Sequence, residues 1–354
     1  MSPRTREGFH ELRVAKVDRL CDDATAVTFD VPAALAETFT FLPGQFLTIR
    51  RTVSGVEHRR SYSIASAVGA PPKIGVREVA GGAISGWLVH DVRPGDVIDV
   101  QPAAGSFVPD LTVAGRHVLI AAGSGITPVL SIASSVLADR TSKATVIYAN
   151  RRSDTAMFVD ELAEVKDAHL ERAEIVSVLS REAQEVEMFN GRLDAAKLAS
   201  LLPAVCEPAG VDHWWLCGPY DMVIDATRVL AAFAVSDDKI HRELFYVEDV
   251  APDPVRRIDI EAPGALVTVV ADGRSTSITV AWDKPILDGA QLARPDLPFA
   301  CRGGVCGTCR AKLVEGQVRM RRNFALEAAE IDDGYVLTCQ SVCVTETVTV
   351  DYDS

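Results

Sequence analysis

The sequence predicts a multidomain chain: an N-terminal antiparallel β-barrel, a central α/β unit on a parallel sheet, and a smaller C-terminal α+β domain. Three observations predict it. At 354 residues the chain exceeds what one hydrophobic core usually organises. The apolar runs of the first hundred or so residues are short and partly alternating, whereas from about residue 113 they are solid and interleaved with helical stretches. Near the end, "CRGGVCGTC" (301–309) packs three cysteines together, with a fourth at Cys339.

The first module, residues 1–112, is built from "LRVAKVDRL", "ATAVTFDV", "GQFLTIRRT", "RRSYSIAS", "KIGVREV" and "GDVIDVQPA", separated by Gly, Pro or Asp in the manner of a barrel or sandwich. "RRSYSIAS" contains Arg60, Tyr62 and Ser63, and further on "GGAISGWL" brings Gly81, Gly82 and Ser85 to the start of a helix. A guanidinium neutralises a phosphate, a tyrosine ring can lie against an isoalloxazine, and glycine-exposed amides at a helix N-terminus suit a diphosphate. Singly, each is equally a surface charge, a core aromatic or a turn. As an ordered set they point to a flavin, and the pyrophosphate-suited "GGAIS" favours FAD over FMN.

The second module, residues 113–248, alternates strands ("HVLIAAG", "ATVIYANR", "AEIVSVLSRE", "HWWLCG") with helices ("PVLSIASSVLAD", "YDMVIDATRVLAAF"), which implies βα units on a parallel sheet. In "AAGSGITPVLSI", Gly123 and Gly125 let the backbone approach a pyrophosphate, with Thr127 expected as N-cap and Pro128 at the first helical position. This is not a complete Rossmann fingerprint. Arg151 and Arg152 end a strand where a nucleotide ribose would sit, and with Arg181 they could hold a 2′-phosphate, favouring NADPH; solvated arginines are an equal reading. "WWLCGPYDMV" brings Cys217 to the same carboxyl edge.

Residues 249–264, rich in Pro and mixed charge, read as a linker. In the third module, 265–354, Asp272-Gly273 between two β-rich runs signals a hairpin. Its cysteines carry the chemistry. The spacing C-x4-C-x2-C…C across Cys301, Cys306, Cys309 and Cys339 is that of the plant-type [2Fe–2S] ferredoxins, whereas zinc sites more often show two C-x2-C pairs or His partners. Gly303, Gly304 and Gly307 let the loop fold tightly with its amides toward the sulfurs. Cys343 is an alternative fourth ligand, read instead as a bystander in the last strand; Cys21 and Cys206 read as small buried hydrophobes.

No segment approaches eighteen consecutive apolar residues and the first residues carry no secretory h-region, so the expectation is a cytoplasmic protein whose eight cysteines are not disulfides. A net charge of −13 argues against nucleic acid or an anionic membrane as partner. Against that background Arg319, Arg321 and Arg322 form a basic run suited to an acidic partner, though such runs are more often solvated faces. A cluster takes one electron at a time while nicotinamide delivers two, and a flavin is the adaptor between them.

The order R-S-Y-S, G-G-x-x-S, G-S-G-I-T-P, C-G-P and "ELF", followed by "CRGGVCGTC", resembles the ferredoxin-NADP reductase superfamily with a plant-type ferredoxin fused behind it, over essentially the whole chain. Longer runs such as "YANRRSDTAMFVDEL" and "DLPFACRGGVCGTCR" are similar to the reductase subunits of phenylacetyl-CoA epoxidases, from bacterial phenylacetate breakdown. The resemblance implies a β-grasp fold for the third domain and NADPH, FAD and a [2Fe–2S] cluster as carriers. It implies a flavin and pyrophosphate site at Arg60, Tyr62, Ser63 and Gly82–Ser85. It implies an NADP site at Gly123, Gly125, Thr127 and Pro128, and Cys217 and Glu243 beside the nicotinamide. Phe245 or Tyr246 would shield the flavin, and Cys301, Cys306, Cys309 and Cys339 would be the cluster ligands. The implied partner is a di-iron epoxidase. The same modules would serve a Rieske ring-hydroxylating or steroid-hydroxylating oxygenase, or a non-catalytic redox sensor, although a pure sensor does not need the nicotinamide half.

Overall fold

The computed structural model describes residues 8–246, 264–326 and 328–354. The stretch expected as a linker lies outside the described residues except for Gly264. The chain forms two compact units, one spanning Gly8–Tyr246 and the other containing the described residues 264–354.

In the first unit the strands β1 (His10–Cys21), β2 (Ala24–Asp30), β3 (Phe46–Val53), β4 (Val56–Ser63), β5 (Lys73–Arg77) and, after the short helix α1 (Ser85–His90), β6 (Val97–Ala104) pair antiparallel in the order β4-β3-β6-β1-β2-β5. An Ile64–Ile74 bridge joins the two ends of this sheet and closes it. The alternation seen in the sequence turns Leu12, Val14, Val27, Phe29, Leu47 and Ile49 inward, each fully buried and each stabilising by about 2 kcal/mol.

The chain then runs through β7 (Arg116–Ala122), α2 (Ile126–Val136), β8 (Lys143–Asn150), α3 (Val159–Ala168), β9 (Ala173–Leu179), α4 (Ala195–Val205), β10 (His213–Pro219), α5 (Tyr220–Ala232) and β11 (Ile240–Tyr246). The five strands are parallel in the order β11-β10-β7-β8-β9. Strand order reverses at β7, so the crevice at the carboxyl ends of β7 and β10 is where such a sheet takes a ligand. Barrel and sheet share one core: Ala24, Ala65 and Phe107 pack with Leu119, Phe158 and Trp215, and the Phe107 and Trp215 rings meet edge-on at 5.1 Å.

One local expectation is corrected. Thr127 is not the N-cap of α2, because a 3₁₀ turn at Gly123–Gly125 runs straight into the helix and Gly125 caps it. Thr127 lies inside the first turn, where its hydroxyl donates to the Ser124 carbonyl (2.9 Å), and Pro128 follows at a position whose N–H would have no intrahelical partner.

The second unit contains β12 (Ala265–Ala271), β13 (Arg274–Val280), α6 (Ile286–Ala290), β14 (Arg310–Glu315), β15 (Val318–Met320), α7 (Ala328–Asp332), β16 (Tyr335–Leu337), β17 (Ser341–Cys343) and β18 (Thr347–Asp351). Its main sheet has the order β13-β12-β18-β14-β16, with β12 parallel to β18 at the centre, and β15 pairs with β17 as a separate ribbon. This is the expected β-grasp arrangement. The hairpin turn falls at Asp272 and Gly273, both at positive φ (53° and 66°), and both N–H groups are capped by the Asp353 carboxylate at 2.8 and 2.9 Å. Among the described residues no helix is long and apolar enough to cross a membrane.

Candidate active site and cofactor sites

Three elements converge at the crevice. Cys217 of β10 and Glu243 of β11 are register partners, and Ser63 at the end of β4 reaches them from the barrel. Glu243 Oε2 accepts from Ser63 Oγ at 3.4 Å and from Cys217 Sγ at 3.9 Å. Glu243 is half-buried by surface area, but the protein packed around its carboxyl pushes it up to about 8, against the pull of those two hydrogen bonds. Cys217 is fully buried, and burial followed by the Glu243 charge raises its thiol far above the ordinary value. At neutral pH the group is therefore a protonated carboxyl beside a neutral thiol, able to hold and pass a proton but not to act as a thiolate nucleophile. Phe245, two residues along β11, packs half-buried against the shared core. The side chain of Tyr246 lies outside the described residues.

The glycine loop meets this group from the end of β7. A Cβ on Gly125 would stand 2.3 Å from the Cys217 carbonyl oxygen, so the glycine expected to serve a phosphate is needed first to let the loop lie on β10. Gly123 differs: a Cβ there would meet nothing within 4 Å and its φ is +56°, so its side of the loop leaves room for a ligand. Thr127 is 1% exposed and its hydroxyl is engaged, and Pro128 is buried, so both shape the loop from below. At the end of β8, Arg151 is exposed and lies 3.7 Å from Asp23, Arg152 is held by Asp154 through two donors at 3.0–3.2 Å, and Arg181 donates its backbone N–H to the Arg151 carbonyl at 2.7 Å. The three arginines share one edge, with carboxylates already on two of them.

On the barrel, Arg60 is exposed on β4 with its guanidinium on the Arg59 carbonyl (2.7 Å), and Tyr62 is half-buried against the barrel core, which raises its phenol. Gly81 lies open, whereas a Cβ on Gly82 would collide with Ser85 Oγ, which accepts the Val79 N–H at 3.1 Å. A cation, a ring and an open amide turn on one barrel fit a flavin nucleotide.

In the second unit Cys301, Cys306 and Cys309 lie on the loop before β14, and Cys339 follows β16. The sulfurs pair two and two: Cys306 with Cys301, and Cys309 with Cys339. Among the described residues no three ligating side chains converge as around a single ion. Two pairs of thiols fit the four-cysteine donor set of a [2Fe–2S] cluster. The hydrogen bond from Cys306, joined by the N–H groups of Gly303 (3.3 Å), Val305 and Cys306, holds the Cys301 thiol below its ordinary value. Within each pair the shared hydrogen bond holds one thiol down and pushes its partner up: Cys339 lies below its ordinary value like Cys301, and Cys306 and Cys309 lie well above it. Cys343 is buried apart, raised to about 11 by burial alone, and sits in β17, which β18 follows, so it is not in the last strand. Cys21 and Cys206 are only half-buried, their thiols donating to Asp23 (3.2 Å) and the Leu202 carbonyl (3.4 Å).

Three positioning residues carry no signal in the sequence. Tyr148 inside β8 donates to the Gly123 carbonyl (3.0 Å) and accepts from Met157 N–H (3.0 Å), pinning the glycine loop. Arg51 donates to the Ala83 carbonyl (3.0 Å) within the "GGAIS" turn and stacks on Trp87. Arg77 binds Asp23 through both carboxylate oxygens (2.8 and 2.9 Å) and reaches the Thr155 carbonyl, joining barrel to nucleotide sheet. Each is an ordinary strand residue until its neighbour is known.

Comparison with known proteins agrees with this partition. The description of an oxidoreductase FAD-binding domain matches residues 11–108, that of an oxidoreductase NAD-binding domain 119–228, and that of a 2Fe-2S iron-sulfur cluster binding domain 269–344. The chain is 38% identical to one of the subunits of 1,2-phenylacetyl-CoA epoxidase from Escherichia coli (strain K12), over 98% of each chain. It is 33% identical to the ferredoxin reductase component of 3-ketosteroid-9-alpha-monooxygenase from Mycobacterium tuberculosis (strain CDC 1551 / Oshkosh), over 97% of this chain and 96% of that one. The solved structure of phthalate dioxygenase reductase shares the fold, with a TM-score of 0.59 at 23% identity, over 97% of this chain and 98% of that one.

Proposed function

The chain belongs to the family of oxygenase reductases that join FAD-binding, NAD-binding and [2Fe–2S] domains in one polypeptide, and we propose on that premise that it serves the di-iron component of a phenylacetyl-CoA epoxidase. As a member of that family it is an oxidoreductase that carries electrons from NAD(P)H to an oxygenase. The observation that carries the finer reading is the 38% identity to a phenylacetyl-CoA epoxidase component along the full length of both chains.

When bound, the flavin accepts two electrons together from the nicotinamide and releases them singly, and the cluster carries them one at a time. The chain's own residues position these carriers and manage a proton. Gly123 and the turn beneath it would cradle the nucleotide phosphates, fixed by Tyr148, with Arg151, Arg152 and Arg181 along the ribose edge. Arg60, Tyr62 and the Gly81–Ser85 turn, held by Arg51, would take the flavin nucleotide. Ser63, Cys217 and Glu243 form the catalytic group, in which Glu243 holds a proton at neutral pH and exchanges it with Ser63 Oγ. Cys301, Cys306, Cys309 and Cys339 would ligate the cluster, the loop amides stabilising charge on the sulfurs and so tuning its potential. Iron–thiolate ligation and a nicotinamide donor both fit a reducing cytoplasm.

The test is reconstitution with purified phenylacetyl-CoA epoxidase oxygenase subunits. Phenylacetyl-CoA-dependent NAD(P)H consumption is expected. If the protein instead sustains a 3-ketosteroid monooxygenase oxygenase and leaves the epoxidase idle, the partner is wrong and the family role stands.

A further inference from the structure

Between Leu297 and Leu326 the chain carries six cations (Arg302, Arg310, Lys312, Arg319, Arg321 and Arg322) and one carboxylate, Glu315, in a protein of net charge −13. This stretch builds the surroundings of the four cysteines. Arg302 is in the cysteine loop, and its carbonyl accepts from Gln340 Nε2 (2.8 Å), which also binds the Cys339 carbonyl (3.0 Å). The Arg321 N–H donates to the Gln340 carbonyl (2.8 Å), and the Phe324 N–H donates to the Gly304 carbonyl (3.0 Å). Gly304, at φ +80°, allows this approach: a Cβ there would lie 3.2 Å from the Arg322 carbonyl oxygen. The arginine run is therefore stitched onto the cluster loop.

The side chains of this stretch lie among carboxylates, aromatic rings and neutral acceptors. Arg310 pairs with Glu330 (3.1 Å) and stacks on Tyr335. Arg302 is exposed, lies over the Phe299 ring at 4.5 Å and pairs with Asp288. Its other donor reaches Gln291, whose neighbour Leu292 is 83% exposed. Arg321 donates to the neutral Asp283 carbonyl. An uncovered leucine next to the glutamine that Arg302 binds has the composition of a protein-binding patch.

We propose that this basic collar, centred on Arg302, Arg319 and Arg321 with Leu292 as its apolar contact, is the docking surface for the electron acceptor, and that it takes an acidic face of the oxygenase. The inference rests on the reading that electrons leave this chain from the cluster to an oxygenase. Gly8–Tyr246 also carries more carboxylates than cations, 31 against 23, and so offers a second acidic surface. The external partner is favoured because a tethered donor already has an effective concentration on the order of millimolar, whereas a diffusing acceptor gains roughly 10- to 1000-fold in encounter rate from opposite charge.

The test uses the holoprotein, pre-reduced, in stopped-flow against the epoxidase oxygenase subunits and, separately, against cytochrome c, whose surface is basic. Wild-type reduction of the oxygenase should fall about tenfold or more from low to high salt. The double variant Arg319→Glu/Arg321→Glu should reduce the oxygenase roughly tenfold more slowly at low salt and cytochrome c faster, with unchanged cluster absorption and an unchanged rate of cluster reduction by NADPH. A salt-independent wild type with a variant that matches it overturns the proposal. A loss confined to NADPH-driven cluster reduction also overturns it, assigning the collar to the chain's own flavin unit. If the wild type reduces no epoxidase subunit, the partner in the functional reading fails, and the cytochrome c comparison still decides the collar.

Discussion

Cys217 and Glu243 stand opposite each other on the parallel strands β10 and β11, and the Cys217 thiol donates to the same carboxylate oxygen that Ser63 reaches from the barrel. Two modules thus meet on one proton-binding atom. Burial raises Glu243 to about 8, so it stays protonated through neutral pH and ionises only above it. The carbonyl stretch of a protonated carboxyl should therefore be present in infrared spectra at pH 7, vanish with a midpoint near 8, and be absent at every pH in Glu243→Gln. A band that disappears near pH 4.5 would mean the carboxyl is solvated.

The histidines at the opposite ends of these strands predict the acid limit of stability. His117 stacks on His213 at 5.1 Å and accepts from Trp215 Nε1 (3.2 Å), and His213 Nδ1 lies 3.4 Å from His241 Nε2. Burial first, then the neighbouring His213, pushes His117 and His241 down to about 4. Because the unfolded chain binds these protons near pH 6.5 and the folded chain only near 4, stability is lost as pH falls through that window. For His117, 3% exposed, the loss is on the order of 3 kcal/mol. Glu243 slopes the other way, losing stability from about 4.5 to 8, so the histidine contribution is read as a difference. Thermal midpoints of His117→Asn should fall less steeply than wild type between pH 6.5 and 4. Parallel curves would contradict the assignment.

Cys306→Ser and Cys343→Ser should separate ligand from bystander. The first should lose the iron–sulfur absorption and electron output to an acceptor protein while NADPH still bleaches the flavin. The second should keep the cluster and cost about 1–2 kcal/mol, the burden of a buried hydroxyl in place of a thiol. Loss of both activities in Cys306→Ser would show instead that the cluster is required for folding.

Gly125→Ala tests the contact between the glycine loop and β10. The added Cβ would sit 2.3 Å from a backbone oxygen that cannot rotate away, so the loop must lift. A destabilisation of about 1–3 kcal/mol is expected, with KM for the nucleotide rising more than kcat falls. Gly123→Ala meets no neighbour and should show the nucleotide effect largely through its backbone conformation. Wild-type stability in Gly125→Ala would remove the packing argument.

How much of this was legible in the sequence differs by element. The barrel strands, the parallel strands up to "HWWLCG" and the hairpin at Asp272-Gly273 were readable because periodicity and turn chemistry are local. β11 was not identified as a strand, since "IHRELFY" runs three polar residues into three apolar ones with no period of two and becomes a strand only by pairing with β10. Thr127 followed the usual capping preference, which lost to the 3₁₀ turn ahead of it. The four thiols were found from spacing, but their pairing two and two needed coordinates. Tyr148, Arg51 and the Arg77–Asp23 pair carry no sequence signal, because their work is done across 25 to 54 positions of chain.

The central claim is that one chain passes electrons from a nicotinamide through a flavin to a thiolate-bound cluster. Its most direct test is an anaerobic absorption titration of the purified protein with NADPH and, separately, NADH. Flavin and iron–sulfur bands should both bleach, with NADPH effective at lower concentration if Arg151, Arg152 and Arg181 bind a 2′-phosphate. Flavin bands that bleach while cluster bands stay oxidised, or a protein that neither nucleotide reduces, would contradict the claim.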